Sequence, residues 1–197
     1  MSQIWAIILA AGESKRMDVP KMLLPFNGKT IIEKVIENVI SSEVSKTLVV
    51  LGSEAGLILE TIIDLPVSHC YNENYREGMF SSVKCGFSNL PAKFEAVIVL
   101  PGDYPAIGAE IINLLIESFR KSEKKIVLPL FRGKRGHPIL ISNDYSEEVM
   151  SLDPKEGLRA LASKFPDDVL EINVKTSAIL RDIDTIEDYF NELKQIT

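Results

Sequence analysis

The sequence predicts a three-layer α/β protein built on a mostly parallel sheet, and three observations predict it. Short apolar runs rich in Ile and Val recur along the chain, segments of helical periodicity separate them, and the runs are apolar through their centres rather than alternating. A strand covered on one face alternates apolar and polar residues, whereas one covered on both faces does not. Strand, helix and strand in series then call for parallel pairing with right-handed crossovers.

Residues 3–10, 47–51, 67–70, 96–100 and 125–130 read as strands. Between them, residues 30–40 place Ile31, Val35, Ile36, Val39 and Ile40 on one stripe. Residues 54–63 repeat the pattern, and residues 108–119 do so with Ile111, Leu114, Leu115 and Phe119. Beyond residue 130 the alternation loosens. Residues 133–136 read as a turn into a strand at 137–142, so an antiparallel or mixed edge is expected in the C-terminal half. A short helix near Glu147, a helix at 156–164, strands near 169–172 and 179–183, and a terminal helix from Thr185 follow. No repeat, low-complexity tract or linker divides the chain, so residues 1–197 are expected to form one domain.

Composition narrows the function classes. With 197 residues, 46% hydrophobic and 25% charged, the chain can bury a sizeable core. The 28 acidic against 22 basic side chains give a net charge of −6, a field that repels nucleic acid, so no nucleic acid partner is expected. A few local cations and backbone amides can still collect a small anion at close range. No apolar stretch approaches the roughly 20 residues of a membrane span. The apolar run Ile7 to Ala11 ends in small residues but lacks a basic leader, so it reads as a buried strand rather than a signal peptide. Cys70 and Cys85 show neither metal-ligand spacing nor the density of a disulfide scaffold, which fits a reducing cytoplasm.

Ligands of open α/β sheets collect at the carboxyl ends of the strands. The first such loop reads Leu9-Ala10-Ala11-Gly12-Glu13-Ser14-Lys15-Arg16-Met17-Asp18-Val19-Pro20-Lys21. Small residues let the backbone approach a ligand, and successive amides can point at phosphate oxygens. Arg16 adds a fork for two oxygens and Lys21 a compact charge, a set suited to a triphosphate. The loop matches neither the dinucleotide fingerprint nor the Gly-Lys-Ser/Thr phosphate loop. Taken alone, it reads first as a tight turn with Arg16 and Lys21 solvated, and only the company it keeps favours a ligand.

Four further segments carry candidate chemistry. The strand at 96–100 runs into Pro101-Gly102-Asp103-Tyr104-Pro105, where Asp103 can hold Mg²⁺ or can fix the turn and cap the helix beginning near Gly108. Tyr75-Arg76-Glu77-Gly78-Met79-Phe80-Ser81-Ser82-Val83 places serines at a helix start, as caps or as contacts to an anion. Arg132-Gly133-Lys134-Arg135-Gly136-His137-Pro138 is a basic hairpin turn, and no Cys or His stands at zinc-ligand spacing from His137. In Leu180-Arg181-Asp182-Ile183-Asp184-Thr185-Ile186-Glu187-Asp188, Asp184 can contact a metal, or Asp184 or Thr185 can cap the last helix.

The pattern Leu9-Ala10-Ala11-Gly12-x-Ser14-x-Arg16-Met17, followed by Lys21 and Leu23-Leu24-Pro25, closely resembles the molybdenum cofactor cytidylyltransferase family of the MobA-like NTP transferase superfamily. The resemblance covers nearly the whole chain and implies a Rossmann-like nucleotidyltransferase fold. It implies that Leu9, Ala10, Ala11, Gly12, Arg16 and Lys21 hold the nucleotide, with Gly78, Ser81 and Ser82 near its base and ribose. Ala11, where the related guanylyltransferases carry a second glycine, favours CTP over GTP. It further implies Asp103 as the metal ligand and Arg16, Lys21 and Asp103 as the catalytic set. The closing Asp-Ile-Asp-Thr-Pro-Glu-Asp of the family, here with Ile186 for proline, suggests Asp184 as a second metal contact. The family's Gly-His-Pro segment suggests Arg135 and His137 beside the acceptor. Asp18 stands where the family usually has glycine, and Lys155 where an acidic residue is common, so Gly157 and Arg159 receive no role.

The implied reaction is Mg²⁺-dependent transfer of CMP from CTP to molybdopterin, yielding molybdopterin cytosine dinucleotide and pyrophosphate, the product passing to a molybdenum hydroxylase. Nucleotidyl transfer to a sugar or polyol phosphate stays open, as does a non-catalytic nucleotide-binding module that chaperones the cofactor.

Overall fold

In the computed structural model, which describes residues 3–17 and 19–196, the apolar run at the start of the chain forms the interior strand β1 (Ile4–Ala10). A short hairpin, β2 (Pro25–Phe26) and β3 (Lys29–Thr30), leads into α1 (Ile31–Ile40). Then follow β4 (Lys46–Leu51), α2 (Ala55–Ile62), β5 (Ser68–Tyr71), α3 (Met79–Ser88), β6 (Ala96–Pro101) and α4 (Ala109–Lys121). The second half comprises β7 (Ile126–Phe131), β8 (Lys134–Arg135), β9 (Ile139–Ser142), α5 (Ser146–Ser151), α6 (Arg159–Lys164), β10 (Val169–Asn173) and α7 (Ile186–Ile196).

The main sheet has the order β10-β7-β9-β6-β1-β4-β5, with β8 attached to β7. β1 is parallel to β4 and β6, β5 to β4, and β10 to β7. β9 alone among the long strands is antiparallel, to both β6 and β7. The mixed part of the sheet therefore lies in the C-terminal half, with β9 inserted inside it rather than on the rim, and all four β9 residues are buried. Side chains of β1 alternate between two covered faces. Ile4, Ala6 and Ile8 pack with α1, α2 and α4, while Ile7 and Leu9 pack with α3, α5 and α6. Each isoleucine so enclosed contributes roughly 1.5–3 kcal/mol relative to exposure.

A third, smaller cluster matters for function. Tyr189 on α7 meets Met17, Phe26, Ile31 and Ile183, and its hydroxyl donates to the Pro25 carbonyl at 2.6 Å. α7 thus fastens the loop after β1 and the segment before itself to the same patch. Among the described residues no helix is long and apolar enough to cross a membrane.

Three local expectations change. Residues 179–183 form no strand: a 3-10 turn spans Ser177–Leu180, and the backbone makes isolated bonds to neighbouring loops, His137 N to Ile179 O and Ile183 N to Asp103 O. The helix expected over 156–164 begins only at Arg159, because Gly157 turns at φ +63°. At the start of α3 the cap position is Gly78, at φ +105°, with no side-chain cap; Ser81 and Ser82 lie inside the helix. A non-glycine residue would be strained there. The β2–β3 hairpin adds an element too short for periodicity to reveal, turning through Asn27 and Gly28 at positive φ.

Candidate functional site

Parallel pairing sets Leu9 of β1 opposite Pro101 of β6, so the loops that leave the two strands start side by side. Gly102 N donates to Leu9 O at 2.9 Å, and a Cβ on Gly102 would lie 3.0 Å from that oxygen and 3.2 Å from the Met22 sulfur. Glycine is needed for that approach, and it carries Asp103 to the loop bearing Arg16 and Lys21. Behind Asp103, the buried Asn38 of α1 donates to the carbonyls of Pro105 and Ile107 and fixes the outgoing turn.

Asp184 arrives from the far end of the chain. Thr185 and Asp188 form a reciprocal cap at the start of α7: Asp188 N donates to Thr185 Oγ1 at 3.1 Å and Thr185 N to Asp188 Oδ2 at 2.8 Å. Because Thr185 and Asp188 do the capping, the Asp184 carboxylate is free to face the loop. Ile183 is fully buried in the third cluster and its N–H donates to Asp103 O at 3.0 Å. Residues on either side of an inward-pointing residue in extended chain point the other way. Asp182 and Asp184 accordingly join Asp103, and ligand oxygens of the three lie within 4.8 Å of one another.

Two cations close the cluster. Lys21 Nζ donates to Asp103 Oδ2 at 2.6 Å and to Asp184 Oδ1 at 2.9 Å, while Arg16 reaches Asp184 Oδ2 at 2.6 Å. Lys21 is enclosed, with 10% of its side chain exposed, against 67% for Arg16. Burial is the largest influence on the Lys21 ammonium and lowers its pKa, but the charges and hydrogen bonds of Asp103 and Asp184 outweigh it and hold the pKa above the ordinary lysine range. For Asp184, burial raises the pKa, yet Lys21 first, then a hydrogen bond with Asp182 and then Arg16 pull it below the usual carboxylate range. Asp182 is pushed up, by burial and then by the neighbouring Asp184 and Asp103. Tyr104 is also pushed up, by burial and by the three acids beside it.

The acids fit a hard divalent ion. They supply oxygen donors only, and Asp103 Oδ1 is buried without a hydrogen-bond partner among the described residues. His137 lies at the same edge: its ring meets Tyr104 edge-on with centroids 5.0 Å apart, and its Nδ1 is buried and without a hydrogen-bond partner among the described residues. Burial lowers the His137 pKa against an opposing pull from Asp103, which keeps the ring neutral at pH 7. Arg135 sits on β8, where it pairs with Glu171 of β10 at 2.5 Å, so the structure brings His137 rather than Arg135 to the acids.

The loop after β1 passes Leu9, Ala10 and Ala11 as buried residues and becomes exposed at Gly12. Ser53 N donates to Ala11 O at 3.2 Å, and Lys21 N to Ser14 Oγ at 3.1 Å, closing the loop. Asp18 lies outside the described residues. Glu13 meets Arg76 at 3.9 Å, which places the turn before α3 against this loop. There the buried Asn72 donates to both Ser81 Oγ (2.8 Å) and Ser82 Oγ (3.0 Å), and Ser81 lines a cavity of about 430 Å³ with Asn72, Phe80 and Lys84. Gly78, Ser81 and Ser82 are therefore gathered at one helix start, held by a residue that sequence reasoning missed.

Sequence reasoning also missed Asp182, Asn38 and Ser14. Asp182 had a signal, since two acids flanking one apolar residue share a face once the segment is extended. The buried amides had none, because a single polar residue in an apolar stretch does not disclose its partner.

Comparison with known proteins identifies the family. Over 199 residues the chain is 29% identical to the molybdenum cofactor cytidylyltransferase of Escherichia coli (strain K12), covering 100% of this chain and 99% of that protein. It is 33% identical over 117 residues to a probable molybdenum cofactor guanylyltransferase of Methanosarcina acetivorans, covering 57% of this chain and 51% of that one. The crystal structure of Rv0371c from Mycobacterium tuberculosis H37Rv superposes with a TM-score of 0.87 at 21% identity, covering 98% of both chains. The same protein complexed with manganese gives 0.83 at 20%, covering 98% and 99%. At those identities the likeness is one of fold. The profile of the MobA-like NTP transferase domain matches residues 6–169, most of the chain. The chain belongs to the MobA-like NTP transferase family and is a nucleotidyltransferase.

Proposed function

We propose that this nucleotidyltransferase moves CMP from CTP to molybdopterin in a Mg²⁺-dependent reaction, forming molybdopterin cytosine dinucleotide and pyrophosphate. The observation that carries the reading is the meeting of Arg16 and Lys21 with Asp103 and Asp184 at the adjoining ends of β1 and β6. The full-length likeness to a cytidylyltransferase and the alanine at position 11 support CTP. The manganese bound by a structural relative supports a divalent ion.

In this reading the amides around Gly12, with Leu9, Ala10 and Ala11 behind them, cradle the triphosphate, and Arg16 and Lys21 meet its oxygens. Gly78, Ser81 and Ser82 border the base and ribose. Asp103 and Asp184, joined by Asp182, would hold Mg²⁺, which when bound stabilises charge on the α-phosphate and the departing pyrophosphate. Two unit charges ~4 Å apart interact by roughly 4 kcal/mol at an effective dielectric of 20, so the two cations offset a repulsion of that order between acceptor and donor phosphates. The acceptor phosphate is ionised at neutral pH and needs no strong base. His137 and Arg135 border the acceptor. The chain acts as one domain over residues 1–197, in the cytoplasm and without nucleic acid, and its product goes to a molybdenum hydroxylase.

Pyrophosphate release tests the reading: purified chain and Mg²⁺ with each triphosphate, alone and with molybdopterin or sugar and polyol phosphates. Release only with CTP and molybdopterin is the expected result. Release with GTP, towards which the guanylyltransferase relative points, overturns the choice of base; release with a sugar or polyol phosphate instead overturns the acceptor. Binding without turnover of any pair overturns catalysis in favour of a carrier module.

A further inference from the structure

We infer that Lys21 and Arg16 are exchangeable counter-ions of the acid cluster: a divalent ion entering on Asp103 and Asp184 displaces both and releases them to the triphosphate. The inference rests on the metal assignment above and adds an order of events to it. Lys21 Nζ stands within hydrogen-bond distance of one oxygen from Asp103 and one from Asp184, and Arg16 holds the other Asp184 oxygen. Three of the four oxygens of this acid pair are therefore engaged by ammonium or guanidinium, and the fourth, Asp103 Oδ1, is the buried one without a partner among the described residues. A divalent ion held by Asp103 and Asp184 would compete with the Lys21 nitrogen for the oxygens it now occupies.

The exchange conserves the positive charge at the acids. Asp103 and Asp184 are met here by two monovalent cations, and a divalent ion would bring the same charge by itself. The cations set free are the two that a polyanion bound on the Gly12 loop needs. Only side chains have to move. The Lys21 backbone is fixed by its bond to Ser14 Oγ and by the 3-10 turn Lys21–Leu23, and Met17 anchors the residue next to Arg16 in the third cluster. A long lysine stem on a fixed backbone can turn its ammonium from the acids to a phosphate beside them. Each ligand thereby removes the other's competitor, so metal and triphosphate bind with positive, reciprocal coupling.

The test measures Mn²⁺ binding to the full chain without nucleotide, by the electron paramagnetic resonance of the free ion. Lys21→Met should bind Mn²⁺ at least about fivefold more tightly than the unmodified chain. Arg16→Gln, an exposed position that leaves folding intact, should move in the same direction by less. Lys29→Met, which removes a charge paired with Glu37 away from the cluster, should change nothing. In parallel, the ¹H–¹⁵N signal of the Lys21 ammonium should be lost or shifted on saturation with Mg²⁺. Equal Mn²⁺ affinity in the unmodified chain, Lys21→Met and Arg16→Gln overturns the exchange, as does an unmoved ammonium signal. If Asp103→Asn still abolishes binding in that case, the metal assignment survives alone. If Mn²⁺ binds none of these proteins, both readings fall.

Discussion

The loop that carries Arg16 is exposed at Gly12, Lys15 and Arg16 and turns through Ser14 at φ 51°, whereas the segments that carry Asp103 and Asp184 are tied down around each acid. Gly102 is bonded to β1, Asn38 holds the turn after Asp103, Ile183 is bonded to Asp103 and buried, and Thr185 with Asp188 caps the helix that follows. The acids thus occupy fixed positions at the ends of strands and helices, whereas Arg16 sits on an exposed stretch of loop and Lys21 carries a long side chain on a fixed backbone. A fixed carboxylate array spares a metal ion the cost of ordering its ligands, while cations on long side chains can follow phosphates as charge moves among them. The same asymmetry underlies the exchange of counter-ions.

The strongest way to break this comparison is to remove charge from the fixed side. Asp103→Asn keeps the shape of the side chain and should leave the far-ultraviolet circular dichroism spectrum unchanged, while turnover in the pyrophosphate assay falls by about two to three orders of magnitude. Full turnover would show that the anchored acid is structural and that the site lies elsewhere.

How far the sequence revealed this division follows from what each residue does locally. β1 and β6 were legible because strands buried on both faces must be apolar throughout. Asp103 was legible because it follows such a strand directly in a Gly/Pro turn. Asp184 was ambiguous, since an Asp-Thr pair before a helix offers two capping side chains. The resolving signal was the Thr185-x-x-Asp188 spacing of a reciprocal cap, which leaves Asp184 over. Asp182 went unread because residues 179–183 resembled a strand, and in a ladder its role would have depended on register. Their backbone instead bonds singly to His137 and Asp103, contacts set by residues some 40 and 80 positions away that no local pattern encodes. Asn38 and Asn72 are of the same kind. Each is a buried amide whose partners are settled by tertiary packing.

A smaller perturbation tests whether the cap, and not only the acid, maintains the fixed side. Thr185→Ala removes the hydroxyl that accepts from Asp188 N and donates to Asp188 Oδ2. The expected cost is about 1 kcal/mol of stability, or a fall of about 2–4 °C in Tm for a chain of this length. Asp188 then keeps only the backbone N–H donors of residues 184 and 185 and its own N–H loses its acceptor, which loosens the segment that carries Asp184, so the metal concentration at half-maximal activity should also rise. A loss of stability with unchanged metal dependence would confine the cap to folding.

The smallest effect expected is a gain. Burial, with Asp184 and Asp103 alongside, raises the pKa of Asp182 in the folded chain. Folding therefore favours the protonated acid, and the stability that this contributes is present below the unfolded carboxylate value near pH 4 and is lost as pH rises through the higher folded value. Above that folded value the ionised Asp182 opposes folding. Asp182→Asn keeps the shape, can donate to Asp184 as the protonated acid does, and removes the charge. Its Tm should exceed that of the unmodified chain at pH 7 by the equivalent of less than about 1 kcal/mol, with the difference vanishing near pH 3. Metal affinity should fall in the same variant, because an oxygen donor is lost. A drop in Tm at pH 7 would mean that Asp182 is held by partners as Asp184 is, and that all three acids, not two, are neutralised by the loop's cations.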